Sequence, residues 1–364
     1  MNIKIDIFFF LILLIVACSE SNNKTLHPIN DKIPHSKVPY KPLSLSKNLD
    51  SVKNLPRNLQ VLYSFLNGEH DNFETEKLKI LTTGAVNILP IVNNRILILE
   101  LDNNRLIEYN RLKDKFTVVA GGGRGPGDIL YSEELATYNN KAYVAMQGFL
   151  VSVFDCQFHT CEYYKTIDTK IINYSIAPSD KKITVLGLPS FNNDQAVVEV
   201  KNNRLVMHQF NYSGERVNSF GAVYNTSYPF LQDRMSAGGK VRYYSDKGIY
   251  TSSFTYYPFI FIYDEKGKLI NKLKIPNLKQ GYYEYTTRDD GGFSGRIVYG
   301  DKSEISFTSK VNEEWLLLRI KEMREVKFID MQSGFSGNEW FSYYALNMDN
   351  YNYYKIGDDN AYPF

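Results

Sequence analysis

The feature that most limits what this chain can fold into is a recurring run of short strands, each run broken by an Asn or Asp turn. Arg95–Leu101 (RILILEL), Arg105–Asn110 (RLIEYN) and Lys115–Ala120 (KFTVVA) form the first set. The pattern returns at Lys141–Met146, Phe149–Asp155 and Cys161–Ile167, then at Lys182–Leu188, Arg204–Asn211 and Glu215–Phe220. It returns again at Gly248–Phe254, Pro258–Asp264 and Lys268–Ile275, and once more at Glu314–Ile320 and Glu325–Asp330. One strand of each set ends in an aromatic or apolar residue followed by Asn or Asp. The pairs are Tyr109-Asn110, Phe154-Asp155, Phe210-Asn211, Tyr263-Asp264 and Ile329-Asp330. Amphipathic periodicity of 3.6 residues is missing from these regions, so strands and hairpins are expected rather than helices.

Sets of strands recurring at this spacing are the signature of four-stranded propeller blades. Each blade is covered on both faces by its neighbours, so its strands can be apolar on both sides. Aromatic rings fill the wedges, in keeping with 28 Tyr and 22 Phe. Residues 80–364 divided by six give about 47 per blade, a normal blade length. The expected fold is therefore all-β: one six-bladed propeller over 58–364, with four strands per blade. The sixth blade would combine Phe341–Phe364 with an N-terminal strand such as Leu59–Leu66, closing the ring and removing open edges. Stacked β-sandwiches are the alternative architecture.

The N-terminus sets a location. Lys4 precedes an apolar run from Ile7 to Ala17, too short to span a bilayer but suited to a secretory signal. Leu14-Ile15-Val16-Ala17-Cys18, followed by a polar stretch, resembles the lipobox of bacterial lipoproteins. In that family the signal (here 1–17) is cleaved before the Cys, and the Cys carries lipid. Cys18 is thus the expected lipidation site, and several acyl chains would hold the protein firmly on a bilayer. A plain signal peptide is the alternative. Residues 18–57 carry Pro28, Pro34, Pro39, Pro42 and Pro56 among Asn, Ser and Lys, and read as a flexible tether. A cell-envelope location follows, with the outer membrane favoured and the side facing the cell surface or the periplasm left open.

Gly121-Gly122-Gly123-Arg124-Gly125-Pro126-Gly127-Asp128 follows an outer strand. With the lipobox and the blade repeats, it resembles the Bacteroidetes-type TolB-like six-bladed propeller lipoproteins. That resemblance implies a fold and an envelope location; it brings no reaction and no catalytic residues. The loop itself admits two readings. Its amides could form an anion-binding nest beside Arg124 and Asp128. It could equally be a tight crossover, with Arg124 paired to Asp128. It lacks the ending of a phosphate-binding P-loop and the strand–helix setting of a dinucleotide fingerprint.

Other residues carry weaker signals. Cys156 and Cys161 flank a hairpin tip, and in an oxidising compartment a disulfide is expected. A metal site using Cys156, His159 and Cys161 is the alternative; no fourth ligand is in sight, so neither metal nor cofactor is expected. Two long segments between blades, Tyr224–Tyr244 and Leu278–Tyr299, mix Tyr with Arg as recognition loops do. Their candidate ligand contacts are Tyr228, Arg234, Tyr243, Tyr282, Tyr283, Tyr285 and Arg288. Lys plus Arg is 42 against 40 Asp plus Glu, so the near-neutral balance speaks against nucleic acid as a partner. The reading is a lipid-anchored propeller that binds a glycan, a peptide or an envelope protein. A polysaccharide hydrolase or lyase and a structural interaction hub are the alternatives. Nothing singles out a catalytic pair, and enzymatic activity stays open.

Overall fold

The structure is a computed structural model. It describes residues 25–27, 40–43, 56, 86–91, 95–110, 112–146, 148–157, 160–189, 205–222, 239–276, 278, 282–287, 293–298, 303–330 and 334–360. The chain is all-β throughout these residues. Two short strands come first, β1 (Thr25–His27) and β2 (Lys41–Pro42).

Five four-stranded antiparallel sheets follow. Blade I is β3 (Val86–Ile91), β4 (Arg95–Glu100), β5 (Arg105–Asn110) and β6 (Lys115–Ala120). Blade II is β7 (Ser132–Tyr138), β8 (Lys141–Met146), β9 (Leu150–Asp155) and β10 (Glu162–Asp168). Blade III is β11 (Ile171–Pro178), β12 (Lys182–Pro189), β13 (Leu205–Asn211) and β14 (Arg216–Ala222). Blade IV is β15 (Lys240–Tyr244), β16 (Ile249–Ser253), β17 (Phe259–Asp264) and β18 (Leu269–Lys274), with β2 added in parallel at its outer edge. A hairpin of β19 (Tyr282–Thr287) and β20 (Phe293–Val298) comes next and takes β1 as a third strand. Blade V is β21 (Ser303–Lys310), β22 (Trp315–Asp330), β23 (Gly334–Asn347) and β24 (Tyr353–Asn360).

The first strands of successive blades lie side by side: β3 with β7, β7 with β11, β11 with β15, β15 with β21. That is the propeller arrangement, with first strands innermost. Burial peaks in the middle strands, while the innermost strands β7 and β15 are only partly buried. The third strands of blades II and IV, LVSVFD and FIFIYD, are buried along their length with only their ends half-exposed. The outer strand β10, EYYKTID, is mostly exposed.

The Asn or Asp that closes each third strand has a mechanical role. Its side-chain oxygen accepts backbone N–H groups two to four residues ahead, forming an Asx turn. Asn110 accepts from Leu112 and Lys113, and Asp155 from Gln157. Asn211 accepts from Ser213 and Glu215, and Asp264 from Lys266 and Lys268. In blade V the part is played by Asn347, which accepts from Asp349 and Asn350. Ile329-Asp330 was the wrong fifth member: Asp330 ends the long second strand of blade V.

The core is divided among the wedges between blades. Leu97, Leu106, Leu135 and Phe154 fill the I/II junction, and Tyr143, Val153, Ile176 and Phe210 the II/III junction. Met207, Phe220, Tyr250 and Phe261 fill III/IV, and Ile260, Leu273, Leu316 and Leu346 fill IV/V. The opposite faces of blades I and V carry separate, smaller clusters around Ile96 and Tyr109 and around Trp315 and Ile356.

The expectation of six blades is corrected here: five are present among the described residues. The segment assigned to a sixth blade supplies the third and fourth strands of blade V, because β23 pairs with β22 on one side and β24 on the other. Leu59–Leu66 lies outside the described residues. Glu314–Ile320 and Glu325–Asp330 are one strand with register shifts, not two. Leu278–Tyr299 holds a hairpin rather than an open loop.

Candidate functional site

The innermost strands meet in a buried ionic hub. Glu134 on β7 is almost wholly buried. Its carboxylate pairs with Arg242 at 2.7 Å and Lys240 at 3.4 Å, both from β15. It also accepts the Ser175 hydroxyl and the Ile176 N–H on β11. Arg242 continues to the Thr308 carbonyl on β21 at 2.6 Å. One carboxylate therefore ties blade II to blades III, IV and V through IV's cations. Burial alone would raise the Glu134 pKa, but the charges of Arg242 and Lys240 outweigh it, and the net direction is down. A carboxylate held ionised in this way has no proton to give, so it does not supply the acid of a glycosidase pair.

The I/II junction is sealed by charge. Arg95 on β4 and Glu108 on β5 form a buried ion pair at 3.1 Å. Arg95 also donates to the Cys156 carbonyl, and Glu108 accepts the Cys161 N–H at 3.0 Å. Cys156 and Cys161 are joined in a disulfide, so the pair grips the two ends of that short turn.

The II/III junction is open instead. A cleft of about 350 Å³ lies between the β7–β8 and β9–β10 turns of blade II and the β11–β12 and β13–β14 turns of blade III. Its floor is a chain of hydroxyls: Tyr143 and Tyr212 share a hydrogen bond at 3.1 Å, and Tyr212 donates to the Ser179 carbonyl. Asn139 donates to Asp180 at 2.8 Å across one wall. The Tyr138 pKa is raised to about 12, by burial first and then by its bond to Asp180; burial and the bond to Tyr143 raise that of Tyr212 further still. These phenols stay protonated over the whole ordinary pH range.

Two cations stand on the other wall. The Lys141 and Lys165 ammonium groups lie 4.8 and 5.5 Å from the centre of the Tyr164 ring. Lys165 also donates to the Tyr212 carbonyl. Among the described residues, no carboxylate pairs with either lysine. Tyr164 itself is 55% exposed. Cations with aromatic faces, hydroxyls, amides and one carboxylate together make a polar cleft surface with both donors and acceptors.

The residues singled out from the sequence fall elsewhere. In the glycine loop, the Gly125 N–H donates to the Asp128 carboxylate at 2.7 Å, while Gly123 and Ile129 bond along the backbone. A Cβ on Gly123 would stand 2.2 Å from the Asp128 carboxylate. Asp128 thus fills the place an outside anion would take, and Arg124 is exposed on the loop's rim. Tyr243 lies on β15, not in a loop; its hydroxyl donates to Glu265 and its ring packs on Tyr250 at 4.7 Å. Tyr282, Tyr283 and Tyr285 are in β19, where Tyr283 faces His27 and Tyr285 faces Thr25 in the ladder. Cys18, Tyr228, Arg234 and Arg288 lie outside the described residues, as does His159. No cluster of metal-ligating side chains occurs among the described residues. The cleft residues Tyr138, Lys141, Tyr164, Lys165, Asp180 and Tyr212 were missed. The one available signal was Tyr163-Tyr164-Lys165, two aromatics and a cation on an outer strand.

No family model matches the chain, and no curated protein matches it. Among solved structures, it is similar to a candidate exported protein from Bacteroides fragilis, at 10% identity and a TM-score of 0.44, covering 75% of this chain and 70% of that one. It is also similar to a member of the DUF4221 family from Bacteroides vulgatus, at 9% identity and a TM-score of 0.47, covering 76% and 81%. A likeness this loose bears on neither the activity nor the location of the chain.

Proposed function

We propose that this protein is a lipid-anchored propeller of the cell envelope that holds a ligand in the cleft between blades II and III. The anchor rests on Cys18 after its short apolar run; in the proline-rich segment that follows, Thr25–His27 and Lys41–Pro42 pair with strands β19 and β18 instead of forming a free tether. The binding role rests on one observation: two lysines without a carboxylate partner among the described residues share an exposed tyrosine ring at a cleft lined by polar groups. A glycan, a peptide or an envelope protein fits that surface.

Two experiments test the two halves. Labelled palmitate should enter the wild-type chain and not a Cys18→Ser variant; equal labelling would remove the anchor from the account. Glycan and peptide arrays should be probed with the chain from residue 19 onward and with its Tyr164→Ala variant. Signals lost in the variant support the cleft. Signals that persist unchanged place binding elsewhere.

A further inference from the structure

We infer that the ligand of this cleft is an acidic saccharide, a chain of sugars bearing carboxylates. This rests on the reading of the cleft as a binding site and adds its chemical class. The charge comes first. Lys141 and Lys165 are held within 5.5 Å of one ring centre, and no described carboxylate forms an ion pair with either. Both lysines are half-buried, and Lys165 donates to the Tyr212 carbonyl, so the ammonium groups are held in place. Two concentrated over one ring form a fixed cationic spot whose attraction extends about 8–10 Å at ordinary salt.

The rest of the lining argues for sugar over peptide. It presents the Asp180 carboxylate, the Asn139 and Gln157 amides and the Tyr138 hydroxyl, acceptors and donors suited to pairs of ring hydroxyls. Val153 is the one aliphatic side chain in the lining, so sockets for peptide side chains are missing. The part of the Tyr164 side chain left exposed beside the two ammonium groups offers apolar surface to a sugar ring. Tyr143 and Tyr212 fix the floor through their shared bond, so the cleft is preorganised. A sugar carboxylate would pair with an ammonium group beside the ring while the sugar hydroxyls reach Asp180 and Asn139.

Calorimetric titration tests this with the chain from residue 19 onward and three probes: hexagalacturonate, maltohexaose and hexaglutamate. Hexagalacturonate should bind, and maltohexaose should bind at least about tenfold more weakly, the loss of roughly one good charged contact. Hexagalacturonate affinity should fall by at least about tenfold in Lys141→Ala/Lys165→Ala and in Tyr164→Ala. Lys165→Arg should keep most of it, and the melting temperatures of all variants should match the wild type. Equal binding of maltohexaose, lost in Tyr164→Ala, would overturn the acidic assignment and leave the cleft reading intact. Tighter binding of hexaglutamate, lost in the same variant, would overturn the saccharide. Hexagalacturonate binding that ignores all the variants would overturn both. If none of the three binds, the acidic saccharide is overturned, and the cleft reading rests on the arrays.

Discussion

Blade II has two junctions, and they use charge in opposite ways. Toward blade I, Arg95 and Glu108 are buried, paired, and bonded to both ends of the disulfide turn. Toward blade III, Lys141 and Lys165 stand at an open cleft with a tyrosine ring instead of an acid beneath them. The apolar wedge beneath each is similar in kind: Leu97 and Phe154 on one side, Val153 and Phe210 on the other. The difference shows that similar apolar wedges can carry either a buried, paired charge seal or an open polar cleft. A sealed junction should lose stability when its charges are removed. An open one should lose only its ligand.

The largest effect is expected at the seal. Glu108→Gln removes the buried carboxylate that pairs with Arg95 and should cost about 3–5 kcal/mol in denaturant unfolding. A loss under about 1 kcal/mol would mean that the ion pair is replaceable and the contrast is weaker than drawn. Next, removing the disulfide with Cys156→Ser/Cys161→Ser should cost roughly 2 kcal/mol, the low end for disulfides because the loop is short. Reduction of the wild type should lower its melting temperature in the same direction.

A third prediction concerns pH and blade III itself. His208 on β13 is buried, with Nδ1 sharing a hydrogen bond with Ser219 at 2.8 Å. Burial, helped by the nearby Arg216 charge, lowers its pKa to about 4. The unfolded chain takes up a proton as pH falls below about 6.5, while the folded chain resists until near 4. Stability should therefore be full above pH 6.5 and decline as pH falls toward 4, and His208→Asn should flatten that slope. An unchanged slope would assign the acid loss to other groups. The smallest stability effect belongs to the open junction: Lys141→Ala/Lys165→Ala should change unfolding free energy by less than about 0.5 kcal/mol. A large loss there would make the cleft a second seal.

How much of this was legible in the sequence follows from where polar groups sit. The second to fourth strands of blades I to IV were readable because their residues are apolar and end in a recognisable Asx turn, as in FIFIYD. The innermost strands were missed in every blade. SEELATY and KVRYY carry Glu134, Lys240 and Arg242, whose charges are satisfied only across blades and look in sequence like loop residues. The blade count went astray for a related reason. The 16-residue β22 contains Lys321, Glu322, Arg324 and Glu325, which read as a break between two strands. The cleft was illegible because it joins the turns of two blades: Tyr143 and Tyr212, bonded through their hydroxyls, are 69 positions apart. The Tyr/Arg segments drew attention by composition, yet Arg242 turned out to serve the hub and Tyr243 the III/IV rim.

The most direct test of the central claim is hydrogen–deuterium exchange with and without hexagalacturonate. The account predicts slowed exchange in the turns around Asn139 and Asp180 and in β10 near Lys165, with no change in β4 and β5 around Arg95 and Glu108 at the I/II junction. Protection centred on the I/II junction, or spread evenly over all five blades, would contradict it.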